Sequence, residues 1–99
     1  MIVLVNLKEG VSPADYETWV LDSYAPAARS LPSISDWRNH RVDGMPGSGE
    51  TPPYRYVVTL EVDDMEELGR DAENEETQRL LRELHGLAEV TQLVAEWFA

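Results

Sequence analysis

The sequence predicts an α+β domain built in the order β-α-β-β-α-β, a ferredoxin-like plait. Three observations predict it. Short β-rich runs open the chain, close it and fill its middle. Two stretches with helix-start signals and helical spacing of apolar residues separate them. A loop rich in glycine and proline joins the two middle strands. At 99 residues the chain makes one domain, 1–99, with a single modest core.

Met1 to Leu7 is rich in Val and Leu and reads as a central strand covered on both faces. Asn6 and Lys8 follow too soon for a signal peptide. Glu9-Gly10 turns the chain, and Ser12-Pro13-Ala14-Asp15 signals a helix start, with Ser12 as N-cap and Pro13 in the first turn. Tyr16, Trp19, Val20, Tyr24, Ala27 and Leu31 then recur on one helical face. Pro26 should kink or restart that helix near Tyr24 and Ala25. The second strand spans Ser35–Val42, and the loop from Asp43 to Pro53 should form a flexible rim. Tyr54–Val62 is the third strand, with Tyr54, Tyr56, Val58 and Leu60 on one face. Asp64-Met65-Glu66-Glu67 opens a helical region running to about Leu87, with a break expected near Asn74. Val90–Phe98 is the expected last strand.

In a plait both helices lie on one face of the sheet. The other face is left open, and burying it against a second copy of the chain is the natural solution, so a homodimer is expected. Nineteen acidic residues against eight basic ones give a net charge of −11, which argues against nucleic acid and anionic lipid as partners. No run is long enough for a membrane span. The absence of cysteine excludes disulfides and thiolate chemistry and fits a reducing cytoplasm. No metal site is expected from two distant histidines, and no glycine-rich phosphate cradle precedes a helix, so no cofactor is expected.

The second strand draws attention because ionisable and aromatic side chains stand where a core strand would carry Val or Ile. Trp37, Asn39 and Arg41 share one face; Arg38, His40 and Val42 share the other. Neither set is easily buried, so one face should look into a wet pocket or an interface. His40 is the candidate general acid/base, with His85 or a tyrosine as partner. Trp19, Tyr24, Trp37 and Tyr56 are the candidate walls for a flat aromatic substrate. Arg38 or Arg41 could bind an anion, although pairing with the many carboxylates competes.

The element order, the segment Pro26-Ala27-Ala28-Arg29-Ser30-Leu31-Pro32-Ser33-Ile34 and a histidine in the second strand resemble the dimeric α+β barrel superfamily. Within it, Met1-Ile2-Val3-Leu4-Val5-Asn6-Leu7-Lys8, Tyr16, Trp19, Leu31-Pro32-Ser33 and Ala95-Glu96-Trp97-Phe98 look most like the RedY-like (HapK) family. The resemblance implies bacterial secondary metabolism of the prodiginine or bisindole type, with a pyrrole- or indole-like substrate. It is compatible with a cofactor-independent enzyme such as a cyclase, with a non-catalytic protein that shields a labile intermediate, and with a cofactor-free oxygenase of the antibiotic-monooxygenase type. Fold alone does not choose among these.

Overall fold

The computed structural model describes all 99 residues. Its elements are β1 (Ile2–Leu7), α1 (Pro13–Trp19), a π-helical turn (Val20–Tyr24), α2 (Ala25–Ser30), β2 (Ile34–Arg41), β3 (Tyr56–Val62), α3 (Met65–Asp71), α4 (Glu75–Leu87) and β4 (Ala88–Leu93). The strands form one sheet in the order β2-β3-β1-β4. Each neighbouring pair is antiparallel. This is the α+β ferredoxin-like fold expected from the element order.

Local chemistry sets the helix boundaries. Ser12 Oγ accepts the Asp15 N–H at 3.1 Å, and Pro13 sits in the first turn, where no hydrogen bond is lost. Asp64 Oδ1 accepts the N–H groups of Glu66 and Glu67 at 2.9 and 3.3 Å to start α3. Asn74 separates α3 from α4 by capping the latter, taking the Glu76 N–H at 2.8 Å. The helix restarts beside Pro26, where expected: α2 begins at Ala25 with Pro26 in its first turn. Just ahead of it the backbone widens, so that Ala25 N–H reaches back to Val20 O across a π turn. That widening sits where the proline ring would otherwise press on the preceding turn.

Tyr16, Val20, Tyr24, Ala25 and Ala28 from the first helical region pack with Leu80 and Leu84 of α4 over one sheet face. That face presents Val3 and Val5, Trp37, Tyr56 and Val58, and Ala88. Register places Trp37 opposite Leu60, Asn39 opposite Val58 and Arg41 opposite Tyr56, so all six belong to the helix-covered side. Ile2, Leu4, Arg38, His40, Val57, Thr59 and Leu93 alternate onto the other side.

Three strand limits differ from the sequence expectation. β2 runs one residue earlier, Ile34–Arg41. β3 starts at Tyr56, because the Arg55 N–H bonds Val5 O and Asn6 Oδ1 ahead of the regular strand. β4 begins at Ala88 and stops at Leu93, where the expected strand Val90–Phe98 continues. Leu93 pairs with Ile2, the first residue of β1, so residues beyond it have no strand to bond. Trp97 and Phe98 are 91% and 97% exposed as a result.

Ser33, fully buried, fastens the turn between α2 and β2. Its Oγ donates to Asp71 Oδ2 at 2.6 Å, its N–H donates to the same oxygen at 3.2 Å, and its carbonyl accepts the Asp63 N–H at 2.9 Å. Ser33→Ala strips one hydrogen bond from a carboxylate that has little else to bind. It should lower unfolding free energy by about 1–3 kcal/mol in urea denaturation. An unchanged midpoint would show that this fastening adds nothing to stability.

Candidate functional site

A cleft of about 260 Å³ opens between the first helical region and the β2–β3 end of the sheet. Tyr16, Val20 and Ala25 form its helical wall; Trp37, Asn39, Arg41 and Tyr56 form its floor; Glu17 and Arg29 stand at the edge. The floor residues are the period-two set of β2 with its partner from β3. The aromatic rings run as a chain through the core. Ring centroids are 4.8 Å apart for Tyr56–Tyr16, 6.1 Å for Tyr16–Trp19, 5.3 Å for Trp19–Tyr24 and 4.8 Å for Tyr24–Trp37. Such a cleft is small for a ligand site and has room for a mono- or bicyclic ring.

The polar groups divide into two sets. Glu17 accepts from Arg41 through both carboxylate oxygens and from the Tyr56 hydroxyl at 2.7 Å. The Arg41 hydrogen bond, aided by Tyr56, holds the Glu17 carboxyl down at about 2. Burial, then the bond to Glu17, pushes the Tyr56 phenol up to about 12. Glu17 is therefore a carboxylate and Tyr56 a neutral phenol at physiological pH. The second set is unpartnered: both amide atoms of Asn39 and the Tyr16 hydroxyl are buried without a hydrogen-bond partner. Burial raises the Tyr16 pKa, and a polar contact with the Asn39 side chain partly offsets the rise, so the two side chains stand within reach of each other although no hydrogen bond of good geometry joins them. Arg29 lies 5.5 Å from the Trp37 ring centroid and donates weakly to the Trp37 carbonyl. No carboxylate lies within ion-pair distance of it.

Of the sequence candidates, Trp37 and Tyr56 line this cleft. Tyr24 is buried behind it, edge-on to Trp37. Trp19 turns toward α4 and donates its indole N–H to Glu83 Oε2 at 3.0 Å. The structure does not bring the histidines to the aromatic walls. His40 lies on the opposite sheet face, exposed, with Nε2 2.9 Å from Thr59 Oγ1. His85 is exposed near the end of α4. The expected pairing of His40 with the aromatic pocket is thus corrected by strand parity: Trp37 and His40 are an odd number of residues apart and cannot share a face. Arg38 also faces away and pairs with Asp36 at 3.1 Å. Sequence reasoning passed over Glu17, Arg29 and Asn39. The signal for Asn39 was present, a buried-register polar residue between Trp37 and Arg41. Nothing local marks Glu17 among so many acidic residues. No three His, Asp or Glu side chains converge as metal ligands.

The model of the family described as REDY-like protein HapK matches residues 1–97. No curated protein matches the chain. Among solved structures, HapK from Hahella chejuensis superposes with a TM-score of 0.71 at 23% identity, covering 99% of this chain and 95% of that one. A dimeric ferredoxin-like protein of unknown function from Thermobifida fusca gives 0.66 at 15% identity, covering 93% and 87%. A dabb family protein with a ferredoxin-like fold from Mesorhizobium loti gives 0.65 at 11% identity, covering 95% and 94%. At these identities the structural matches speak for the fold. No helix is long and apolar enough to cross a membrane.

The depressed Glu17 pKa has a stability signature. Its contribution is fully present above the unperturbed value of 4.5 and is lost as pH falls through about 2. In thermal melts followed by circular dichroism, the protein should exceed Glu17→Gln in stability near neutrality. The gap should close across that acid window. A gap constant with pH would mean that the Glu17–Arg41–Tyr56 contacts do not depend on the carboxylate charge.

Proposed function

As the chain belongs to the family of the REDY-like protein HapK, we propose that it is a small cofactor-independent enzyme of bacterial secondary metabolism. It holds a pyrrole- or indole-like intermediate in the helix–sheet cleft and steers it by proton transfer, as in a cyclisation of a prodiginine or bisindole precursor. The observation that carries this reading is the pair of buried polar side chains at the cleft wall, Asn39 and Tyr16, which face each other without a hydrogen bond of good geometry and leave the Asn39 amide incompletely satisfied. Unsatisfied buried polar atoms cost about 1–3 kcal/mol each, and a ligand that completes them removes that cost. A pyrrole or indole bearing a carbonyl or imine offers one N–H donor and one acceptor on a flat ring. The Asn39 amide can answer both, whichever way its two atoms point.

Within this reading Trp37 and Tyr56 hold the ring. Tyr16 and Asn39 bind its heteroatoms and stabilise the charge that develops on enolisation. Tyr56 is the acid that protonates the forming enol oxygen, kept protonated by burial and positioned by Glu17, which Arg41 anchors, while water at the open mouth of the cleft takes the proton that leaves carbon. Arg29 supplies a cation at the mouth.

The open sheet face supports a second reading. The His40–Thr59 pair sits there with Ile2, Leu4, Val57 and Leu93, and a homodimer closing over that face would enclose it. His40 would then be the acid/base, with His85 left outside on α4. The alternatives to an enzyme are a shielding protein and a cofactor-free oxygenase.

Proton–deuterium exchange next to the carbonyl of an indole-3-acetaldehyde probe in D₂O, without added cofactor, separates these readings. Tyr56→Phe should slow exchange by roughly 10²–10⁴-fold and Asn39→Ala should weaken probe binding, while His40→Ala leaves both unchanged. After subtraction of the uncatalysed rate, the profile should show no inflection between about pH 5 and 8, where an imidazole in that role would introduce one. Loss with His40→Ala and retention with Tyr56→Phe would move the chemistry to the open face. Binding without exchange would mark a shielding protein, and oxygen consumption an oxygenase. Light scattering should give the mass of a dimer. A monomer at micromolar concentration would remove the second reading.

A further inference from the structure

Apart from the cleft, an apolar groove of about 180 Å³ opens to solvent between α2, the α3–α4 pair and the sheet. Leu68, Leu80 and Leu81 supply much of its wall, and Ala27 and Ala72 leave the space between them. Thr77 and Gln92 are its only non-hydrophobic lining residues. An apolar cavity of about 150 Å³ takes up benzene, so this groove has room for one phenyl ring.

The chain carries such a ring close by. Val94, Trp97 and Phe98 follow β4 within five residues, and Phe98 is 97% exposed. Three large apolar side chains grouped in water mark a contact surface. Gln92, two residues before Val94, lines the groove, so the tail leaves from its rim. It leaves on the far side of the sheet, however. Ala95, Glu96 and Trp97 border a hollow with Ile2 and Thr59 of the open face, whereas the groove lies under the helices. Reaching its own groove would require a reversal within Val94-Ala95-Glu96, which contains no turn-forming residue. Running straight on requires none. Val94 to Phe98 spans about 17 Å when extended. That length crosses the roughly 10 Å between two stacked sheets and continues past the second one.

We propose that the groove receives Phe98 from a second copy of the chain, and that two copies exchange tails in this way. Trp97, pointing the opposite way along an extended tail, is closed between the two open faces. The exchange rests on the copies stacking through those faces and is independent of what the cleft binds. Each large ring buries about 150–250 Å². Four rings and the walls they cover therefore bring the tails' contact alone to roughly 1,200–2,000 Å², the size of a stable interface.

The chain has no cysteine, so single cysteines report the contact directly. Chains carrying Ala99→Cys, beside Phe98, are mixed with chains carrying Thr77→Cys in the groove and oxidised. A disulfide-linked pair of the two should form in large excess over the pair made with Ala14→Cys, on the exposed side of α1. Equal yields would overturn the exchange. So would a chain carrying both Ala99→Cys and Thr77→Cys that closes its disulfide within one copy. In sedimentation equilibrium, Phe98→Ser should raise the dimer dissociation constant about thirtyfold or more. Ala72→Leu, which fills the groove, should do the same and suppress the cross-link; Ala27→Leu serves where Ala72→Leu lowers the melting temperature. A dimer that neither Phe98→Ser nor the filling variants weaken would overturn the exchange and leave the open-face dimer standing. An unsubstituted chain that stays monomeric would overturn both.

Discussion

Tyr16 is the side chain on which helix and sheet close together. It is fully buried, with its ring 4.8 Å from Tyr56 of the sheet and 6.1 Å from Trp19 of its own helix. A helix advances about 100° per residue, so fixing Tyr16 inward also fixes its neighbours. Glu17 is turned to the rim, where the Tyr56 hydroxyl and Arg41 meet it. Val20 and Tyr24 follow one and two turns later on the buried side. The Glu17–Arg41 ion pair at the rim thus follows from the way Tyr16 is seated, and the Asn39 amide meets the hydroxyl of that same ring.

The fold was legible because its signals are local and redundant. Ser12, Asp64 and Asn74 each stand where a chain must start a helix, and the structure uses all three as caps. The parity of β2 was equally legible: Trp37, Asn39 and Arg41 had to share a face. Which face the helices would cover could also be inferred from the partner strand, where Tyr56, Val58 and Leu60 are the apolar set. The histidine drew attention away from that inference. A rare titratable residue is conspicuous in a sequence, whereas an asparagine becomes conspicuous only when its amide is found buried with nothing to bind. The overlong last strand has a different cause. Alternation in Val90–Phe98 is a property of that segment, but a strand ends where its partner ends, and β1 has no residues left beyond Ile2.

The charge of the chain gives the cleft a particular electrostatic setting. With nineteen carboxylates against eight basic side chains, the surface as a whole repels anions. At the cleft, Arg41 is neutralised by Glu17 while Arg29 is left unpaired beside Trp37. A fully anionic ligand meets a repulsive approach and one cation. On the proposed reading, a neutral ring meets no such barrier, and Arg29 stands beside Trp37 where charge would develop.

The π turn between α1 and α2 acts as a phase shifter. Five residues there do the work that fewer would do in an α-helical turn, so everything after Tyr24 is rotated relative to the stretch before it. In the observed phase Ala25 and Ala28 point inward and Arg29 falls at the mouth of the cleft. A chain one residue shorter in this segment would keep its helices and its sheet. It would turn the small side chains outward and swing the cation away from the indole. The spacing between Tyr16 and Arg29 is therefore a setting of angle, and the cleft between them is built on that angle.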